Sequence, residues 1–356
     1  MIQSRIMEKG LTSIVILNYN GELFLKNCLE SVIINTKREF EIIVVDNNSP
    51  DNSAKMIKDD FPDCKFILNQ ENVGVPEGLN IGIRNSVGEF IILMNNDVKV
   101  TEGWLDDFFY AYEKYGIALY QPKFVKMNDP DILDGTGDMI NLFGFGFARD
   151  KGKKDSKKHN SIEEISYASG TCMFLPRKIV EEIGYFDHRL FAYHEELDFG
   201  WRARLAGYSS FYVPKSVIQH YGSAGWGWSG KKFYFLERNR WIVMLKNYSF
   251  ETLVMLVPSL ILLEIIMLGF FAKKGILTKK IWGYGSIIRS LNQIRKDRKK
   301  IQKSRKIGDE KILEKFCSNM YIPPESEESH HMKRFNNLLV SLAKISGYYN
   351  KVKLVE

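Results

Sequence analysis

The sequence is poor in cysteine, and its four cysteines are scattered with no Cys-x-x-Cys pair among 356 residues. Such spacing argues against a disulfide framework and against a zinc site, so we expect a reducing cytoplasmic environment. A long apolar core is missing from the first ten residues, which include Arg5 and Lys9. We therefore expect no signal peptide there.

Two glycine-rich phosphate-binding motifs are missing from the N-terminal part. No Gly-x-Gly-x-x-Gly follows the first apolar run, which argues against a Rossmann dehydrogenase. No glycine-rich loop with a lysine lies near the N-terminus, which argues against a nucleotidyltransferase with similar sheet architecture. The net charge is only +7, and the lysine-rich residues 151–160 fit a solvated loop, so we expect no nucleic-acid partner.

Short apolar runs alternate with helical patterns between about residues 11 and 125. The runs are rich in β-branched residues, and they are 13–17, 41–45, 66–68 and 90–94. Runs that are apolar on both faces are typical of buried parallel strands. Residues 23–34, between the first two runs, have the apolar spacing of a helix. This alternation predicts an α/β sheet with helices on both faces.

Polar clusters follow three of these runs, and they are Asn18-Tyr19-Asn20, Asp46-Asn47-Asn48-Ser49 and Asn95-Asn96-Asp97. In open α/β sheets, ligands bind beyond the carboxyl ends of the strands. Asn, Asp and Ser also favour turns after strands, and this alternative stays open for any single cluster. Three clusters at equivalent positions favour a binding site.

Asp97 is a candidate metal ligand. Mg²⁺ and Mn²⁺ prefer oxygen ligands and share their coordination shell with substrate phosphates, so few protein ligands are needed. Asp46 could accept a hydrogen bond from a base N–H or a ribose hydroxyl. A turn-forming role remains the alternative for both residues.

An acidic cluster, Glu195, Glu196 and Asp198, occupies the middle region. Carboxylates this close repel one another, which predicts at least one raised pKa, and a raised pKa suits a general base. The alternative is an acidic first helical turn favoured by the helix dipole, with Asp198 tied to Arg202 one turn on. We interpret Glu196 as functional and Asp198 as structural.

Two further segments are expected near the site. Residues 167–175, which include Gly170 and Thr171, predict a strand that lines it. His220 precedes a glycine-rich loop that contains Trp226, and such a loop could close over a substrate. A lone histidine is more often structural than a ligand, and that interpretation stays open.

The C-terminal part differs in composition. Residues 253–271 are almost wholly apolar, and a dense basic run follows at 295–306. The apolar run is long enough to cross a bilayer, which needs about 20 residues, but Glu264 lies near its middle. A single crossing would also put the basic run on the outer side. We predict monotopic attachment at the cytoplasmic face, with a buried core helix or a subunit contact as the alternative.

Together, six motifs in this order resemble the family-two glycosyltransferases, especially their rhamnosyltransferase-like branch. The resemblance covers about residues 13–248, and its motifs are 15–21, 44–49, 72–74 with 80–83, 93–98, 193–202, and 219–220 with the following loop. It implies a GT-A fold, which is a mixed, mostly parallel sheet flanked by helices. Residues 1–250 would form the catalytic domain, with a nucleotide-sugar half at 11–125 and an acceptor half at 126–250. A membrane-associated segment would follow at 251–306, and the tail at 307–356 has no assigned role.

The resemblance also implies an activity. An inverting, metal-dependent enzyme would move a sugar from a nucleoside-diphosphate sugar to a hydroxyl of a saccharide or polyprenyl-linked acceptor. The metal would be Mn²⁺ or Mg²⁺. A membrane-tethered binding protein with a degenerate transferase fold is the alternative, and the retained Asp97, Glu196 and His220 argue against it.

Residue roles follow from the same resemblance. Nucleotide-binding positions would be Asn18, Tyr19, Asn20, Asp46, Asn48, Asn72, Gly74, Asn80 and Asn96. Asp97 and His220 would be the metal contacts, and Glu196 would be the catalytic base. The acceptor side or its loop would include Gly170, Thr171, Glu195, Asp198 and Trp226. Two positions depart from the family pattern: Asn95 replaces the first acid of Asp-x-Asp, and Glu196 stands where Asp is common, which leaves Glu195 open as the base.

Overall fold

The computed structural model describes residues 7–222, 229–324 and 329–355. The strands, numbered in chain order, are β1 (Glu8–Asn18), β2 (Phe40–Asp46), β3 (Lys65–Leu68), β4 (Gly88–Asn95), β5 (Val98–Val100), β6 (Leu119–Lys126), β7 (Asp129–Gly135), β8 (Asp138–Ile140), β9 (Gly146–Ala148), β10 (Glu163–Ile165), β11 (Cys172–Pro176) and β12 (Ser210–His220). The α-helices are α1 (Leu25–Asn35), α2 (Ser53–Asp60), α3 (Val75–Arg84), α4 (Trp104–Tyr115), α5 (Arg177–Ile183), α6 (Glu195–Leu205), α7 (Gly230–Asn247), α8 (Phe250–Lys273), α9 (Leu277–Ser304), α10 (Asp309–Leu313) and α11 (Ser329–Ile345).

A mixed ten-stranded sheet forms the centre of the molecule. Its order is β10-β12-β6-β11-β4-β1-β2-β3, with β5 beside β12 and β7 beside β6. The four predicted runs lie in β1 to β4, which pair in parallel. β11 enters antiparallel between β4 and β6, and it overlaps only the second half of the strand predicted at 167–175. The predicted α/β sheet is confirmed.

Alternate residues of the central strands face opposite sides of the sheet, as the pleat requires. Ile14 and Ile16 of β1 belong to a cluster with buried residues of α1 and α4. Val15 belongs to a second cluster with buried residues of α3, α5 and α6. Helices therefore cover both faces, which is why these runs are apolar without alternation.

The C-terminal helices share a core with the rest of the chain. One hydrophobic cluster joins residues of α6 and α7 to buried residues of α8, α9, α10 and α11. Trp201 of α6 makes edge contacts with Tyr248 and with Phe316, at 4.6 and 4.8 Å between ring centroids. Helices α8 to α11 are thus packed against the predicted catalytic domain.

Glu264, the charge within the apolar run, is paired inside this core. Its Oε1 accepts from the Arg240 guanidinium at 2.6 Å and from the Trp241 indole at 2.9 Å. Lys280 Nζ lies 2.8 Å from its Oε2. Although burial opposes ionisation, Arg240 and Lys280 lower the pKa of Glu264. These partners fix one face of α8 against the protein.

Candidate active site

A cleft of about 560 Å³ opens at the carboxyl ends of β1, β2 and β4. This is the edge where ligands bind in open α/β sheets. Polar and aromatic side chains dominate the lining, which comprises Leu17, Tyr19, Asn47, Asn72, Gly74, Val75, Asn95, Asn96, Asp97, Ser169, Gly170, Thr171, Phe191, Ala192, Tyr193, Glu195, Glu196, His220, Gly222 and Lys231.

The three predicted polar clusters meet under this cleft. Asn18 is fully buried, and its Nδ2 donates to Asp46 Oδ2 at 2.6 Å. Its Oδ1 accepts from Asn96 Nδ2, also at 2.6 Å. Asp46 additionally accepts from the Ser49 backbone and hydroxyl. Asn18 and Asp46 therefore hold the three strand ends together beneath the cleft surface and do not line it.

Ten of the predicted site residues line the cleft, and they are Tyr19, Asn72, Gly74, Asn96, Asp97, Gly170, Thr171, Glu195, Glu196 and His220. Asn20 and Asn48 point away as exposed residues with φ of 57° and 61°. Asparagine tolerates this left-handed region better than most residues, which accounts for both positions. Asn47 takes the place in the lining that was predicted for Asn48.

Asn80 and Asp198 are used inside the protein. Asn80 exchanges hydrogen bonds with the backbone of Phe186, at 2.9 Å each. Asp198 accepts from Arg202 at 2.9 Å and lies 3.0 Å from Lys246 Nζ, which with Arg202 holds its pKa below the usual value despite burial. The structural interpretation of Asp198 agrees with these contacts. Trp226 lies outside the described residues.

Asp97 and His220 face one another in one corner of the cleft. His220 Nε2 lies 3.5 Å from Asp97 Oδ1, and its Nδ1 lies 2.6 Å from Asp134 Oδ2. Burial alone would lower the pKa of His220, but the hydrogen bond with Asp134 and the nearby Asp97 raise it to about 9. Asp134 orients the ring so that Nε2 points to Asp97, as carboxylates often do for metal-binding histidines.

A divalent cation in this corner would have to displace the proton that His220 carries toward Asp97, and it would rely partly on its substrate for ligands. Among the described residues, no group of three or more His, Cys, Asp or Glu side chains has metal-binding geometry. Two donors that share one octahedral cation lie roughly 3 Å apart, which the Asp97–His220 separation approaches. Diphosphate oxygens and water would have to complete the shell. Asp97 is also only 4% exposed, so it lies deeper than its polar sequence context predicts.

Glu195 and Glu196 are the first residues of α6, and both line the cleft. Each has one buried carboxylate oxygen that lacks a hydrogen-bond partner among the described residues. Burial and the neighbouring Glu196 raise the pKa of Glu195 well above its usual range. Burial also raises the pKa of Glu196, but its hydrogen bond with Glu195 favours the ionised form. Glu195 is thus the member of the pair that favours the protonated form, and Glu196 is the member that favours the ionised form and can accept a proton.

A buried carboxyl that the sequence did not indicate lies beside them. Asp138 of β8 is 8% exposed, and burial with the nearby Glu196 raises its pKa to about 7. The pKa of Tyr167 is raised by burial and by the same carboxylates. No sequence motif marks Asp138, because only the packing of β8 against α6 brings it to Glu196.

Asp138→Asn should stabilise the protein increasingly as pH rises. In the folded protein the pKa of Asp138 is about 7, above the ordinary value of 3.8. The free-energy cost of ionising Asp138 in the folded protein therefore grows as the pH rises from about 4 to about 7, and it is constant at higher pH. At pH 8 the gain in unfolding free energy is expected to be of order 4 kcal/mol, and near pH 4 it should be small. Chemical denaturation at several pH values measures it. Exposed Asp129→Asn is the control, and an equal gain at pH 4 and pH 8 would contradict the assignment.

The loop before α6 is strained where it borders the cleft. Phe191, Tyr193 and His194 have φ of 63°, 68° and 67°, a region that non-glycine residues rarely adopt. The amide of Asn239 on α7 holds this loop by donating to the carbonyls of Leu190, Ala192 and Tyr193, at 2.7–2.9 Å. α7 therefore positions the start of the helix that carries Glu195 and Glu196.

Residues 13–184 match the family model described as "Glycosyl transferase family 2". The chain contains a family-2 glycosyltransferase domain. This match covers the three polar clusters, whereas Glu195, Glu196 and His220 follow it in the chain. The family resemblance inferred from the sequence motifs is confirmed.

Curated relatives are consistent with this assignment. The chain is 26% identical over 201 residues to the low-salt glycan biosynthesis hexosyltransferase Agl10 of Haloferax volcanii, a match that covers 54% of this chain and 61% of that protein. It is 23% identical over 230 residues to the N-acetylglucosaminyl-diphospho-decaprenol L-rhamnosyltransferase of Mycobacterium tuberculosis, covering 58% of this chain and 75% of the relative.

A solved structure shares the fold. The crystal structure of GalNAc-T7 with UDP, GalNAc and Mn²⁺ superimposes with a TM-score of 0.55 at 18% identity, covering 68% of this chain and 48% of that one. The sheet order, the flanking helices and this likeness together confirm the predicted GT-A fold.

Proposed function

We propose that this protein is an inverting glycosyltransferase that moves a sugar from a nucleoside-diphosphate sugar to a hydroxyl of a saccharide or lipid-linked saccharide in glycan biosynthesis. One observation carries the proposal. One cleft is lined both by the Asp97–His220 pair and by Glu195 and Glu196, each of which has a buried carboxylate oxygen without a hydrogen-bond partner among the described residues. Such an arrangement separates a diphosphate site from a proton-accepting site.

In this proposal Glu196 is the general base. Its carboxylate accepts the proton of the acceptor hydroxyl, and the oxygen attacks the anomeric carbon opposite the leaving group. The bond to the nucleoside diphosphate breaks, and the configuration inverts. Glu195, protonated beside it, keeps the negative charge on Glu196.

The opposite side of the cleft would bind the donor. The residues proposed to contact the nucleotide are Tyr19, Asn47, Asn72, Gly74 and Asn96. Asn18 and Asp46 would stabilise the strand ends beneath them. Asp97 and His220 would hold Mn²⁺ or Mg²⁺. A bound divalent cation would neutralise the charge that develops on the departing diphosphate.

A panel of nucleotide sugars tests the function. Purified protein with Mn²⁺ should be stabilised in thermal-shift experiments by one uridine or deoxythymidine donor and should release its nucleoside diphosphate when an acceptor is present. Stabilisation without release or transfer would favour the binding-protein alternative. If no donor stabilises the protein or is consumed, the proposal is wrong.

We also propose attachment to the cytoplasmic face of a membrane. α8 is a 24-residue helix, and it is the one helix of the described residues that is long and apolar enough to cross a bilayer. Its exposed face is apolar and includes Val254, Ile261 and Ile265, while its other face packs on the protein through Leu256 and Leu263. One face of α8 packs against the protein, and Glu264 is ion-paired within that interface. Attachment of α8 along the membrane surface is therefore favoured over a helix that crosses the bilayer.

Acidic substitutions on that face test the attachment. Ile261→Glu with Ile265→Glu should strongly reduce co-sedimentation with vesicles of anionic lipid, because charged groups are unfavourable in the apolar layer. Ile34→Glu, which changes a 74%-exposed isoleucine on α1, is the matched control and should bind like the natural protein. High salt should weaken binding without abolishing it. Equal binding by all three proteins would refute this surface as the attachment site.

A further inference from the structure

A second cleft, of about 570 Å³, lies between α7 and α9. Its lining consists of three cations and three aromatic rings, with no carboxylate, and comprises Lys231, Tyr234, Phe235, Lys279, Trp282 and Arg289. On α9 the residues 279, 282, 286 and 289 follow the three- and four-residue spacing of one helical face. The cleft is therefore built from one face of each helix.

The cations of this cleft differ from those nearby. Lys280, next to Lys279, is buried and paired with Glu237 and Glu264. Among the described residues, neither Lys279 nor Arg289 has an ion-pair partner, and Lys279 Nζ lies 4.3 Å from the ring centroid of Trp282. Burial raises the pKa of Tyr234, but Ser286, Arg238 and Arg289 outweigh it and lower that pKa, which indicates a positive local potential. Such a site suits an anion with several charges.

This cleft adjoins the catalytic cleft. Lys231 lines both. Phe235 stacks on Phe191 of the catalytic lining, with ring centroids 5.3 Å apart and an angle of 16° between the planes. Lys232 Nζ lies 5.6 Å from the ring of Tyr193, which lines the catalytic cleft three residues before Glu196. An anion in the second cleft would thus sit beside the acceptor side.

Exposed apolar side chains continue from the same helix. Ile281, Trp282 and Ile288 of α9 are 54%, 60% and 65% exposed. Phe270 and Phe271 at the end of α8 contact Phe233 of α7, so α8 packs on one of the two helices that line this cleft. A ligand that joins a polyanion to a hydrocarbon chain matches both features, whereas a free nucleotide would use only the charges.

We propose that the cleft between α7 and α9 binds the diphosphate of a lipid-linked saccharide acceptor, with its hydrocarbon chain along the exposed apolar residues of α9 and α8. The saccharide would then extend past Lys231 toward Glu196. This inference rests on the proposed function for the direction of transfer. The binding itself does not require turnover.

Farnesyl diphosphate is the probe for a direct test by isothermal titration calorimetry with the full-length protein. Lys279→Ala with Arg289→Ala should weaken its affinity by about tenfold or more, because two charge-assisted contacts are lost. Lys300→Ala, an exposed lysine elsewhere on α9, should bind like the natural protein. Unchanged thermal melting shows that the double variant is folded. Farnesol and inorganic diphosphate should each bind more weakly than the probe.

Three results would overturn the proposal. Equal affinity of the double variant and the natural protein would remove the cleft from binding. Inorganic diphosphate that binds as tightly as farnesyl diphosphate would show a site for free anions. Competition by uridine or deoxythymidine diphosphate would assign the cleft to the donor. If the double variant loses the probe but no donor is ever consumed, the inference stands and the proposed function fails.

Discussion

Glu196→Gln is expected to lower kcat by about 10²–10⁴-fold, the usual cost of losing a general base. The amide keeps the shape of the side chain but accepts no proton from the acceptor hydroxyl. Donor binding should survive because the residue belongs to the acceptor side. Transfer rates at saturating donor, together with donor affinity from thermal shift, measure the two effects separately.

Glu195→Gln distinguishes the two carboxylates. Because Glu195 is the protonated member of the pair, an amide in its place can still donate to Glu196, and we expect only a modest loss. An inactive Glu195→Gln together with an active Glu196→Gln would reverse the assignment. The pH–rate profile should show an acidic limb above the ordinary glutamate range, since burial raises the pKa of Glu196.

Asp97→Asn is expected to reduce activity by roughly 10²–10³-fold and to raise the Mn²⁺ concentration that gives half-maximal rate, because the proposed cation loses its charged ligand. The amide is preferred to alanine since Asp97 is buried beside His220 and an empty space there would disturb the fold. Excess chelator should mimic the substitution in the natural protein.

Asp59→Asn, on the exposed end of α2, is the control and should leave the metal dependence unchanged. Asp134→Asn should have a smaller effect, about 10–100-fold on metal affinity, because Asp134 orients His220 without facing the cation. Full activity of the natural protein in excess chelator would refute the metal assignment.

The sequence was a good guide to the sheet and to its ligand-binding edge. Runs apolar on both faces predicted β1 to β4, and the polar clusters after three of them meet at one edge as expected. It was a poorer guide to which member of a cluster faces the ligand. Asn47 lines the cleft and Asn48 does not, because a positive φ at Asn48 turns the chain outward.

The role of Glu264 could not be predicted from the sequence, because its partners are distant in the chain. In a linear apolar run it appears as an unfavourable charge, whereas Arg240 and Lys280 pair with it across two other helices. The sequence also did not predict the second cleft, between α7 and α9. The cleft residues of α7 and those of α9 are about fifty residues apart in the chain. The residues of either helix alone have the composition of an ordinary helix surface.

By itself the sequence determined the α/β class, the sheet edge where the polar clusters meet, and the acidic turn with Glu196. These depend on local periodicity and on the direction of each strand, which short segments encode. Only the tertiary structure decided that Asp134 orients His220, 86 residues away, and that Asp138 lies beside Glu196. Such pairings arise because strands and helices distant in the chain pack around a common core, and no local pattern records which side chains that packing brings together.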